Sequence, residues 1–220
     1  MKPLTGNSIF RVWLFIVLGI LTTAALALSV SAAERNGKNI DITVRLFDAV
    51  AVFPPPSWQE SVNPADDYTV HPQQQQNMFV LEFLPKGETF KNWTKLHAVQ
   101  AVKSPRLRYA DLKQIALKPF QRACGEDNLE VRELEETEKT YLIALLCTNS
   151  PNGPTEFGYG DGVGEVTLMW IGYAKETKVK IYQHWRGDSF STDEPDTWPV
   201  SADLFDRTVG EFKGIRLIIK

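Results

Sequence analysis

Cysteine and histidine are scarce in this chain, two and three among 220 residues, and their placement excludes more than their number. No His-x-x-x-His pair occurs, no histidine lies near a cysteine, and His71, His97 and His184 are far apart, so a metal site has no support in the sequence. The cysteines, Cys124 and Cys147, are too widely spaced for the Cys-x-x-Cys arrangement of a catalytic dithiol. There is no Gly-x-Ser-x-Gly elbow, and Ser57, Ser61, Ser104 and Ser189 fall in loops with nothing to mark a nucleophile. Positive charge is not in excess: 24 basic against 27 acidic residues give a formal charge of −3, which provides no overall field to draw nucleic acid. No cofactor, no metal and no nucleic-acid partner is expected.

A long apolar run is missing everywhere except at the start. Lys2 and Arg11 are the only charges from Met1 to Ala33, followed by Val12 to Val30 and the small residues Ser31, Ala32 and Ala33. That order of positive end, apolar stretch and small side chains is the layout of a secretory signal. Val30 with Ala32, or Ser31 with Ala33, supplies a cleavage register. The run is also nearly long enough to stay in a bilayer as an anchor. Residues 1–33 are therefore expected to be a signal peptide or signal anchor, with residues 34–39 as a polar tether and residues 40–220 as one domain. The domain is placed outside the cytoplasm, periplasmic or secreted, touching a membrane only through the N-terminal segment if that is uncleaved.

What is present reads as strands and two helices. Ile42, Val44 and Leu46 alternate with Thr43 and Arg45, with Val50 to Phe53 as a possible continuation and three prolines closing it. Ser57 to Asn77 is polar, includes Gln73 to Gln76, and reads as a surface loop. Met78 to Leu84 is a strand ending at Pro85-Lys86-Gly87, and the alternation in Thr94 to Val102 favours a strand over a helix. A long helix is expected over about 106–123, with Pro119 near its end able to kink it. Leu129 to Leu134 and Tyr141 to Cys147 form a hairpin, its second strand apolar on both faces and so interior to a sheet. Val166 to Tyr173 and Val179 to Trp185 form another, with Lys178, Lys180, Tyr182 and His184 on a half-exposed face. Ser201 caps a C-terminal helix over about 201–213. The sum is an α+β domain, a mainly antiparallel sheet of about six to seven strands with both helices packed on a face.

Cys124 ends the long helix and Cys147 ends the hairpin, so folding the hairpin brings them together, and an oxidising compartment favours a structural disulfide. The glycine-rich stretch Gly158 to Gly164 is not a phosphate loop, because a strand follows it and no lysine precedes Lys175. It reads as a mobile loop whose residues Tyr159, Gly160, Asp161 and Gly162 offer a candidate binding edge, with Tyr159 exposed. Trp58 and Trp198 lie beside prolines in loops and, if exposed together, would add a partner surface.

The run Phe79-Val80-Leu81-Glu82-Phe83-Leu84-Pro85-Lys86-Gly87-Glu88-Thr89, then Asn92-Trp93-Thr94, resembles a group of small exported bacterial proteins of unassigned function. Gly164-Glu165-Val166 with Tyr182-Gln183-His184-Trp185-Arg186-Gly187 is similar to that group's final hairpin. The element order, with Phe53-Pro54 leading to Trp58, also resembles the PsbP-like fold, which implies an accessory role at membranes rather than catalysis. The expected function is an exported, non-enzymatic binding or accessory protein for an unknown protein or small ligand of the envelope. The alternative is an exported hydrolase in which His97 or His184 acts as base beside a loop serine or the carboxylate of Asp161.

Overall fold

The computed structural model describes residues 33–35, 39–61 and 63–219; residues 1–32 of the expected signal or anchor segment and residues 36–38 of the expected tether lie outside the described residues. Two antiparallel sheets face one another. The smaller has four strands in the order β1 (Ala33–Arg35), β2 (Asn39–Leu46), β3 (Ala49–Phe53) and β11 (Arg216–Ile219). The larger has seven, in the order β4 (Tyr68–Gln75), β5 (Met78–Pro85), β6 (Lys95–Lys103), β10 (Thr177–Asp188), β9 (Val163–Ala174), β8 (Thr140–Cys147) and β7 (Leu129–Glu136). Among the described residues two α-helices, α1 (Tyr109–Cys124) and α2 (Ala202–Phe212), complete the α+β architecture.

Alternation along the central strands divides the large sheet into two buried faces. Phe79, Leu81, Phe83, Val99, Leu142, Leu146, Leu168, Trp170, Ile181 and Trp185 pack against Ile42, Val44, Leu46 and Phe53 of the small sheet and against Phe205 and Phe212 of α2. Leu84, Leu96, Ala98, Ile143, Leu145, Met169 and Ile171 pack on the other side beneath Leu112 and Ala116 of α1. The helices thus cover opposite faces, not the same one. The half-exposed face expected for β10 is also corrected: β10 lies between β6 and β9, and Lys178, Tyr182 and His184 are buried.

Other departures have local causes. Val50–Phe53 does not continue the preceding strand but doubles back on it through Phe47-Asp48, with Phe47 in the left-handed region. Much of the polar stretch expected to be loop is β4, which carries Pro72 and Gln73–Gln75. An edge strand pairs on one side only and tolerates a proline that an interior strand would not. Pro119 lies inside α1 without ending it, and the helix runs from 109 to 124 rather than 106 to 123. The short β11, after the C-terminal helix, had no sequence expectation at all. Ser201 caps α2 as expected, its hydroxyl accepting from the Leu204 amide at 3.4 Å. Cys124 and Cys147 are disulfide-bonded with their Cα atoms 5.7 Å apart, pinning the end of α1 to β8. No helix among the described residues is long and apolar enough to cross a membrane.

Candidate functional site

The β9–β10 hairpin turns at Lys175-Glu176, and its register sets Thr167 opposite His184 and Glu165 opposite Arg186. All four side chains belong to the face that α1 covers. Glu165 is the hub: its carboxylate accepts from the Tyr159 hydroxyl at 2.6 Å and from the Thr167 hydroxyl at 2.6 Å, and pairs with Nδ1 of His184. Thr167 Oγ1 also lies 2.6 Å from Nδ1. A consistent set of protons follows, with Nδ1–H donating toward Glu165 and Thr167 while both hydroxyls donate to the carboxylate. The Glu165 side chain is 2% exposed and that of His184 10%.

Burial alone drives the Glu165 carboxyl upward and is the largest single influence, but His184, Thr167 and Tyr159 together outweigh it and hold the group below its ordinary range. The Tyr159 hydroxyl is pushed the other way, first by burial and then by the carboxylate it serves. Rings enclose the imidazole: Phe120 from α1 is stacked on it at 6.0 Å, with Tyr182 and Trp93 edge-on at 4.7 and 5.9 Å. Arg186 closes the rim. Its guanidinium lies 4.1 Å over Trp93 and 5.5 Å over Tyr159 and donates to the Phe157 carbonyl at 2.6 Å.

The glycine-rich loop is therefore tied down, correcting the reading of it as mobile with an exposed Tyr159. Besides the Tyr159 and Arg186 contacts, the Asn149 side chain donates to Asp161 and accepts from the Gly162 amide, both at 2.9 Å, and the Ser150 hydroxyl donates to the Val163 carbonyl at 2.9 Å. Gly158 is required here: at φ +80° a Cβ would fall 2.1 Å from the Lys91 carbonyl oxygen and 2.9 Å from the Arg186 guanidinium. Tyr159 and Gly160 are half-buried, whereas Asp161 and Gly162 remain exposed. Trp58 and Trp198 do not join them. Both are half-buried and pack on the inter-sheet core, the opposite face of the large sheet, with the Trp198 indole donating to the Ser191 carbonyl at 3.0 Å. The six candidate residues thus divide between two faces.

The histidines divide in the same way. His97 is fully buried on the inter-sheet face among Phe53, Phe83 and Phe212, at 5.7, 5.6 and 6.1 Å, and burial pushes its pKa down to about 3. It is a core residue whose charged form burial disfavours. His71 rests beside Phe90 on the edge strand. Among the described residues no serine and no Asp161 carboxylate hydrogen-bonds His184; the partners it has there, Glu165 and Thr167, were not singled out. Hairpin arithmetic from the Lys175-Glu176 turn was the signal that pairs their strands. Among the described residues no cluster of histidine, cysteine and carboxylate groups could hold a metal ion. On the same face of the sheet, burial raises Glu82 to about 7 and lowers Lys180 to about 8.

A separate apolar cleft of about 450 Å³ opens between the two sheets, lined by Ile42, Asn63, Pro64, Ala65, Tyr68, Val70, Leu81 and Phe83. No protein-family model matches the chain. Comparison with curated proteins likewise finds none similar to it.

Proposed function

We propose that the protein is an exported, non-enzymatic binding or accessory domain, acting in the periplasm or beyond the cell on a protein or small ligand of the envelope. One observation carries the non-enzymatic part: Glu165 and Thr167 meet the same nitrogen of His184. A hydrolytic triad needs the orienting carboxylate on one imidazole nitrogen and the nucleophilic hydroxyl on the other, so that the ring passes a proton between them. Here the shared nitrogen makes the network a clasp that fixes Tyr159 and the loop above it. The disulfide supports export, since such bonds persist in oxidising compartments. Contact with a partner is assigned to the exposed tip of the clasped loop, Asp161 and Gly162, because a rim held on rigid supports loses little entropy on binding.

Replacing Asp161 by a photo-crosslinking residue in the full chain, in its native host, should yield a defined adduct. The same replacement at exposed Glu138 should not. Absence of any adduct, with purified protein hydrolysing a substrate that H184Q cannot, would sink the proposal. A hydrolase is the second reading, favoured by one detail. Glu165 holds Nδ1 while Nε2 makes no hydrogen bond among the described residues, leaving that nitrogen to act as a base. It requires turnover from a panel of esters, glycosides and peptides, lost in H184Q without loss of fold.

A further inference from the structure

A group of polar side chains lies within the apolar layer between the two sheets. Gln183 of β10 is opposite His97 of β6 and two residues before Trp185, so period-two alternation points all three toward the small sheet and α2. The Gln183 side-chain oxygen accepts from the Ser57 amide at 3.3 Å, which fastens the segment after β3 to the same spot. Trp58, the next residue, packs on that core.

Around Gln183, four side chains bury polar atoms that complete no hydrogen bond with any described residue. They are the Ser57 hydroxyl, the indole nitrogens of Trp58 and Trp185, and both ring nitrogens of His97, beside which lie the Gln183 side chain and the Pro54 backbone. His97 and Trp185 are 0% exposed. Phe53, Phe83 and Phe212 ring the imidazole and Phe205 flanks the Trp185 indole at 6.2 Å, so bulk solvent does not reach either group. Stranding one buried polar group is costly, and stranding several in one core would consume a large share of a domain's stability. Native interiors resolve such groups with ordered water.

The chemistry of the group selects its occupant. Both indoles, the hydroxyl and one imidazole nitrogen offer a proton, whereas only the hydroxyl oxygen and the other imidazole nitrogen offer a lone pair. An excess of donors rejects a metal cation and calls for a small group rich in lone pairs that can also donate to imidazole. Water has both. We propose that ordered water is bound in the inter-sheet layer beside Gln183, bridging Ser57, Trp58, His97 and Trp185 and so fastening residues 54–58 to β6 and β10. Ser57 and Trp58 are then anchors of their segment and not a partner surface. Beneath α1 the Glu165 carboxylate accepts from Tyr159 and Thr167; between the sheets water takes that part.

The test is made on the unmutated protein recovered from its native host and labelled with nitrogen-15, so no variant has to fold. Nuclear Overhauser contacts to long-lived water are expected from the indole N–H protons of both Trp58 and Trp185. A crystal structure of the same protein should place a water oxygen about 2.7–3.2 Å from each indole nitrogen, with the Ser57 hydroxyl and a His97 ring nitrogen bonded to the same water or to one adjoining it. Indole protons without a water contact, protein groups found to accept from both indoles directly, or a molecule other than water at the site would each overturn the proposal.

Discussion

His97 and His184 lie on paired strands one register step apart, since His97 is opposite Gln183, and they point to opposite faces of one sheet. Against the small sheet the imidazole lies among rings, beside the Gln183 side chain and the Pro54 backbone. The Gln183 amide beside it is engaged elsewhere, accepting from the Ser57 amide and donating to the His184 carbonyl. Beneath α1 the same side-chain type has a carboxylate, two hydroxyls within reach of that carboxylate, and three rings around it. The first environment solves burial by keeping histidine neutral, the second by building a polar network whose members satisfy one another. The difference teaches that a shared sheet does not impose a shared chemistry: what lies over each face decides it.

The comparison can be broken most severely at Glu165. E165A removes the acceptor of Tyr159 and Thr167 and the partner of His184, and should cost about 3–5 kcal/mol in urea unfolding, the range for stranding one half of a buried pair. Next, replacing both cysteines by alanine should cost about 3 kcal/mol from the loop-closure entropy of a 23-residue separation. Hydrogen exchange should place the loss on the face that α1 covers and spare β2, β3 and α2.

The other face answers to pH. His97 has a folded pKa of about 3, below its ordinary 6.5, so the unfolded chain binds the extra proton as pH falls between those values. Stability from keeping it neutral is complete above 6.5 and is lost toward pH 3. H97L should therefore exceed the parent by about 2 kcal/mol at pH 4 while differing by less than about 1 at pH 8, read from denaturation midpoints across pH. Glu82 carries the opposite slope. Its folded pKa is raised from 4.5 to about 7, so its favourable protonation in the fold is complete below 4.5 and lost as pH rises through 7. E82Q should be more stable than the parent by about 1 kcal/mol at pH 8 and near neutral at pH 4.

Much of the backbone was legible before any coordinates. The hairpins β7–β8 and β9–β10, the capped C-terminal helix and the disulfide follow from period-two alternation, turn residues, Ser201 and the compartment logic of paired cysteines. Those signals are local, each settled within a few residues by sterics and hydrogen bonding. The site was legible only in fragments. Trp93, Glu165, Tyr182, His184 and Arg186 all fall in segments that drew notice, yet Glu165 read as one polar residue at a strand start and His184 as one on a half-exposed face.

What the chain's own pattern determined was which residues alternate, where it turns and which cysteines can meet, because backbone geometry assigns those within one element. What only tertiary structure decided was which face each alternating set would meet. Strand order set β10 in the interior, α1 and α2 took opposite faces, and β4 found a place at an edge where its proline and glutamines are tolerated. Burial is a property of the layers that close over a strand, and the chemistry of Glu165 and His184 arises from that burial.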